Sequence, residues 1–215
     1  VLIDIPMDLQ KIKIDPKKLK PFKPDQEKIK FNYKEIVKKI ENLLNKSKKP
    51  VLILGGGIKC AKAETDLVTF LKNFQIPIVT TWSGVDLIDY NNKYYIGNVG
   101  VYGSRAANFT IQNSDLIISL GSRLDTRITG GVPSSFARNA KKIVIDVDKY
   151  ELGKKRGLKI DLKVNSDIKN FFNNYKKNKK QFIERNDWLK KCNNWKIKYP
   201  LTLKEYFKEK NYVNP

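Results

Sequence analysis

A chain of 215 residues has room for one α/β domain of about 150 residues with extensions, and two full domains would be cramped. Hydrophobic residues at 40% and aromatics at 11% allow a packed core and exclude general disorder outside the lysine-rich connectors. The formal net charge of +21, from 43 Lys and Arg against 22 Asp and Glu, is mostly Lys scattered through the outer segments. It therefore reads as a solvated surface, and nucleic acid is not the expected partner.

The chain has no histidine, and Cys60 and Cys192 lie far apart with no CxxC or Cys/His partners. Histidine-dependent catalysis and zinc sites are thereby excluded within it, and no metal ligands are expected. Two lone thiols fit a reducing compartment. There is no apolar run of about 18 residues, and the opening VLIDIP lacks the features of a signal peptide. A cytoplasmic location without a membrane partner is the expectation. The start on an apolar run without Met, and the stop at Val213-Asn214-Pro215, suggest an internal fragment of a longer protein.

Val1 to Ile5 reads as a short buried strand stopped by Pro6. Residues 8 to 32, lysine-rich with Pro16, Pro21 and Pro24, read as an extended linker without helix. Ile36, Val37, Ile40, Leu43 and Leu44 then have helical spacing, so Tyr33 to Leu44 is the first helix. Pro50 to Leu54 is a buried strand running into Gly55-Gly56-Gly57, with a helix over about Ala63 to Phe74. The glycine turn admits two readings. It brings backbone N–H groups to a helix N-terminus where an anion can sit, or it is a tight turn that needs Gly for closure.

Ile76 to Thr81 is the next strand and Trp82-Ser83-Gly84 turns out of it. Asp86 to Lys93 is a polar loop. Gly97, Gly100 and Gly103 recur every third residue before a helix around Ala106 to Ile111. Asp115 to Leu120 is an apolar strand closed by Gly121, with Arg123, Asp125 and Arg127 crowding the segment that leaves it. Lys142 to Asp148 is a further strand ending in Asp146 and Asp148. These acids read either as hydrogen-bond acceptors for a ribose or adenine or as a solvated turn. Lys159 to Val164 adds a strand, and Ser166 N-caps a helix to about Tyr175. Gln181 to Tyr199 forms a helical arm ended by Pro200, and Leu203 to Lys210 a last short helix. The expected fold is α/β, a doubly wound, mostly parallel sheet of about six strands with helices on both faces. An N-terminal linker and a C-terminal helical arm flank it.

Set side by side, VLIDIPMDLQ, PVLILGGG, IPIVTTWSG, GNVGVYGSRAANFTIQNSDLIISLGSRLDTRITG, KKIVIDVD and WKIKYP resemble, in collinear order, the central domain of thiamine-diphosphate-dependent enzymes. The nearest members are the acetolactate synthase catalytic subunits. The long glycine-rich run is similar to the family's LGMxGMHGxxxAN and RFDDRxTG patterns, and KKIVIDVD to its hIDID. The resemblance implies a Rossmann-like domain of the type called DHS, and a division into 1–32, the end of a preceding domain and linker, 33–178, the central domain, and 179–215, a helical linker towards a following domain.

The resemblance further implies a parent that decarboxylates a 2-keto acid such as pyruvate and joins it to an acceptor, a branched-chain amino acid biosynthesis reaction. Thiamine diphosphate and Mg2+ would be bound outside this chain, by the pyrimidine- and diphosphate-binding domains, in a homodimer or homotetramer. The fragment would not be catalytic alone. At the central domain the acetolactate synthases hold FAD in a structural role, while other members of the family hold ADP or nothing. By motif match Gly56 and Gly57 would approach the nucleotide, Thr81 and Trp82 its ring system, and Gly97 and Gly103 its middle. Gly121, Arg123 and Asp125 would follow, Asp146 and Asp148 would hold the adenosine end, and Arg127 would face the parent's substrate. Tyr102, Leu124 and Thr126 stand where the pattern has His, Phe and Asp, and Arg105 is additional. These departures fit a relative such as the enzymes encoded among surface-polysaccharide genes. A non-catalytic adenine-nucleotide-binding or regulatory domain of the same fold is the alternative.

Overall fold

The computed structural model describes residues 3–22, 32–176 and 185–208. By contacts the chain divides into two units, Val1–Lys30 and Phe31–Pro215. In the first, α1 (Met7–Gln10) and a 3-10 turn at Pro16–Lys18 are the regular elements, and none of the described residues is buried. The strand expected at Val1 to Ile5 is not formed over the described residues 3–5, where Ile3 and Ile5 are exposed. An apolar run becomes a strand only with a ladder partner, and these residues have none. The linker expectation also needs correction, since α1 and the Pro16 turn interrupt the stretch; its residues 23–31 lie outside those described.

The second unit contains α2 (Tyr33–Lys46), β1 (Pro50–Leu54), α3 (Gly57–Cys60), α4 (Glu64–Leu71), β2 (Ile78–Thr80) and β3 (Tyr95–Asn98). It continues with α5 (Arg105–Gln112), β4 (Leu116–Leu120), α6 (Thr126–Thr129), β5 (Lys141–Asp146), α7 (Lys149–Gly153), β6 (Leu162–Asn165), α8 (Ile168–Lys176) and α9 (Asn186–Lys198). The six strands form one sheet in the order β3-β2-β1-β4-β5-β6, and every pairing is parallel. The strand number matches the expectation but the membership does not. β3, not among the expected strands, makes up the six in place of Val1 to Ile5.

Alternation along the strands builds two cores. Leu52, Leu54, Leu116, Ile118, Leu120, Ile143 and Ile145 face α2, α4 and α8. Val51, Ile53, Ile117 and Val144 face α5, α7 and α9 on the other side. Successive side chains of a strand point to opposite faces, so the continuous apolar runs require helices on both. The first core is closed by aromatic rings. Phe70 of α4 stacks within 4.6 Å of both Phe74 and Phe172, and Tyr175 meets it edge-on at 5.1 Å.

Helix α9 belongs to the second core. Trp188 and Cys192 are buried, and burial pushes the Cys192 thiol up to about 12. Trp188 Nε1 donates to the Pro50 carbonyl at 3.1 Å. Lys196 Nζ donates to the carbonyls of Tyr90 and Tyr95 at 3.1 and 2.9 Å. The helix thus lies along the β3 edge, which would otherwise be an open ladder. Residues 181–184 of the expected arm lie outside those described. Asp167, not Ser166, caps α8 by accepting the Asn170 N–H at 2.9 Å. No described helix is long and apolar enough to cross a membrane, and no group of three metal-capable side chains occurs among the described residues.

Candidate functional site

The register places Leu54, Thr80, Leu120 and Ile145 level with one another at the carboxyl ends of their strands. The segments holding Gly56, Gly57, Thr81, Trp82, Gly121, Arg123, Asp125, Asp146 and Asp148 therefore leave the sheet along one edge. The strand order reverses between β1 and β4, and open α/β sheets bind ligands outside that reversal.

The turns after β1 and β4 are in backbone contact. Gly57 N–H donates to the Gly121 carbonyl at 2.9 Å, and Gly55 N–H to the Leu120 carbonyl at 2.9 Å. Gly121 has a φ of +62°, and a Cβ built on it would stand 3.0 Å from Gly57. A Cβ on Gly55 or Gly57 would strike the Gly121 backbone and one on Gly56 would strike Ser83, so the turn needs glycine for its closure. Helix α3 is a single turn, and its first N–H groups are engaged with Gly121 and Gly55. A phosphate here would be met by side chains.

Beside this contact a cavity of about 150 Å³ opens, lined by Gly57, Cys60, Gly121, Asp146, Ser166 and Asp167 among others. It is smaller than the roughly 300 Å³ and more of whole-ligand pockets, so it has room for only one end of a larger ligand. The Asp146 carboxylate is buried here. Desolvation holds its pKa above the usual carboxylate range, against the Asp148 N–H that it accepts at 2.9 Å. The Ser166 hydroxyl meets the Tyr33 hydroxyl at 2.8 Å. A buried carboxylate and a hydroxyl in a cleft also walled by Ala61, Ile145, Val147 and Ile168 suit the sugar or base of a nucleotide. Asp148 is turned to a different task, accepting the N–H groups of Tyr150 and Glu151 at the start of α7.

Arg123 and Asp125 stand 3.6 Å apart and are largely exposed. Between them Leu124 is buried with a φ of +49°, a left-handed conformation that costs about 1–2 kcal/mol for a residue with a Cβ. Asp125 caps α6 by accepting the Arg127 N–H at 3.0 Å. The Arg127 side chain is exposed and has no carboxylate within ion-pair range among the described residues, in keeping with Thr126 at the position of an acid.

Gly97 and Gly103 have local tasks. Gly97 lies within β3, and a Cβ there would strike Ser104 Oγ at 2.5 Å; at Gly103 it would strike the Asn98 carbonyl at 2.4 Å. Gly100 has a φ of +120° and leaves room for the Arg127 carbonyl, which a Cβ would approach to 2.5 Å. Asn108 clamps Gly100, accepting its N–H at 3.0 Å and donating to its carbonyl at 2.9 Å. Thr81 is buried, whereas Trp82 and Tyr102 form an exposed edge-to-face pair 5.5 Å apart. Asn108 and the cavity-lining Ser166 were not legible as site residues, since an Asn in a helix and a Ser before one have commoner uses. A larger cavity of about 500 Å³ lies at the opposite, amino end of β1, lined by Lys48, Lys49, Arg185, Trp188 and Lys191 among others.

Residues 37–174 match the family model described as thiamine pyrophosphate enzyme, central domain. The acetolactate synthase large subunit of Lactococcus lactis subsp. lactis (strain IL1403) is 34% identical over 206 residues, covering 94% of this chain and 35% of the relative. That of Cyanidium caldarium is 35% identical over 176 residues, 78% of this chain and 29% of the relative. The acetolactate synthase isozyme 2 large subunit of Escherichia coli (strain K12) is 37% identical over 157 residues, 73% and 28%. The chain spans about a third of the length of the curated relatives it matches. With an all-parallel six-stranded sheet wrapped on both faces and a family match over most of its length, the chain belongs to the central-domain family of thiamine-pyrophosphate enzymes.

Proposed function

We propose that this chain is the central domain of a thiamine-diphosphate-dependent, acetolactate-synthase-like enzyme, and that it cradles the adenosine end of FAD or ADP in a structural role. The observation that carries the nucleotide reading is the Asp146 carboxylate, buried in a cavity beside the strand-order reversal. A ribose hydroxyl or adenine amine donating to it would favour the carboxylate and so offset the desolvation that raises its pKa. Ser166 offers a second polar contact, and Arg123, exposed two residues beyond Gly121, would pair with a phosphate. Thr81 and Trp82 would flank the ring system if the ligand is the flavin.

In the parent, residues 1–32 would end a preceding pyrimidine-binding domain, 33–178 form the central domain, and 179–215 lead to a diphosphate-binding domain. Thiamine diphosphate and Mg2+, held by those other domains, supply the electron sink for decarboxylating a 2-keto acid and joining the product to an acceptor. This chain's share is packing, nucleotide binding and Arg127, whose guanidinium has no carboxylate within ion-pair range among the described residues and would meet a substrate carboxylate. A homodimer or homotetramer is the proposed assembly, as expected for a site built from several domains.

Titration of ADP and of FAD into the purified chain tests the nucleotide role. Saturable binding of either, weakened by Asp146→Asn, supports it. If neither binds while the chain is folded by circular dichroism, that role is wrong. Assay of the full-length gene product for acetolactate formation from pyruvate tests the parent's activity, and a folded, cofactor-loaded product without it contradicts that part alone.

A further inference from the structure

The left-handed Leu124 sits next to the proposed phosphate-facing Arg123, and three contacts hold it. Its side chain is buried in the second core, its N–H donates to Ser122 Oγ at 3.3 Å, and Arg156 Nη2 donates to the carbonyl of Arg123. That carbonyl belongs to the peptide preceding Leu124, so its direction is set by the turn itself. Arg156 is in turn anchored by the Glu151 carboxylate at 3.3 Å, which is only 10% exposed and also takes Lys154. Lys154, Arg156 and Arg123 together hold the Glu151 carboxyl below its usual range, its bond to Lys154 being the largest cause. Glu151 lies on α7, after β5, and Arg123 lies in the loop after β4. Arg156 is therefore a tie between the segments that follow β4 and β5. The Arg156 side chain is 21% exposed and that of Arg123 is 65% exposed, so the first is built in and the second is presented.

We propose that Arg156 is a positioning residue, which fixes the Arg123–Leu124 peptide in its strained turn and thereby aims the Arg123 guanidinium at the phosphate of the bound nucleotide. This rests on the nucleotide reading above and deepens it. A residue under backbone strain relaxes when a restraint is removed, and a bidentate arginine contact depends on direction as well as charge. Without Arg156 the peptide rotates, and Arg123 remains charged but no longer aimed.

The test uses the whole chain and a double-mutant cycle read by calorimetric ADP titration. Arg156→Ala weakens ADP by about tenfold, comparable with Arg123→Ala, since each removes the same charge-assisted contact. In the Arg123→Ala background Arg156→Ala has no further effect, because it acts through Arg123. Losses that multiply, or no loss from Arg156→Ala alone, overturn the proposal. Amide hydrogen exchange gives a readout that needs no ligand. The amides of Leu124 and Asp125 exchange faster in Arg156→Ala while those of β4 and β5 keep their protection; unchanged exchange at Leu124 overturns the proposal. If the native chain binds no ADP, the nucleotide reading falls, and the exchange data alone decide whether Arg156 holds the turn. Should Arg156→Ala fold poorly, Arg156→Gln serves in the same measurements.

Discussion

At Asp146, stability and binding pull in opposite directions. Burial raises its pKa in the folded chain, with Asp148 and Glu151 adding like charge. The folded state then holds the proton more tightly than the unfolded state, so this group favours folding most below the unfolded pKa. That contribution is lost as pH rises through the raised native value. Asp146→Asn is therefore expected to stabilise the unliganded chain at neutral pH and to gain less in acid. The same change weakens ADP by about tenfold or more, as loss of a charged acceptor does. Urea denaturation at both pH values together with ADP titration checks this, and a variant less stable at neutral pH contradicts it. Tyr175 offers a second case. Its hydroxyl is buried without a hydrogen-bond partner among the described residues, and burial, with Glu41 nearby, pushes its pKa upward. Tyr175→Phe should leave the ring cluster intact and raise stability by up to about 1 kcal/mol. A loss of more than about 1 kcal/mol would reveal a partner for the hydroxyl.

Helix α9 is the element whose role the sequence least discloses. Its apolar residues read as an arm, yet Trp188 and Cys192 fill the core beneath β1 and β3, and Trp188 is tied to Pro50. Trp188→Ala is expected to cost about 3–5 kcal/mol in denaturant unfolding, the scale of a buried Trp truncation. A cost below about 1 kcal/mol would mean that α9 is an appendage. Of the elements with a full apolar run and a glycine stop, β1 was legible to the residue and β4 to within one, Asp115 lying outside it, because burial on both faces leaves a continuous pattern. β3 was not, since its four residues YIGN include a glycine and owe their place to pairing with β2 and cover from α9. Val1 to Ile5 shows the converse, an apolar run without a ladder in the described residues. Of the site, Asp146 and Arg123 could be named from motif and position at strand ends. Ser166 and Arg156 could not, because their contacts join segments that only the folded sheet brings together.

At the scale of the molecule, charge and shape separate the two ends of the sheet. The carboxyl edge carries the glycine turns, the Asp146 cavity and the exposed Trp82 and Tyr102. The amino end carries a lysine-lined cavity suited to anions without selectivity, as a charge of +21 would favour. An anionic nucleotide could be drawn to either, so location, more than affinity, distinguishes a built site from general attraction. The departures at Tyr102, Leu124 and Thr126 leave the sheet and its reversal intact, and bear on which ligand and substrate the edge accepts. The most direct measurement is a map of backbone amide shifts in the NMR spectrum of the chain on titration with ADP at near-physiological salt. Saturating shifts are expected at Gly57, Gly121, Arg123, Val147 and Ser166, lost in Asp146→Asn. Shifts confined to Lys48, Lys49 and Lys191, or fading as salt rises, would contradict the nucleotide reading.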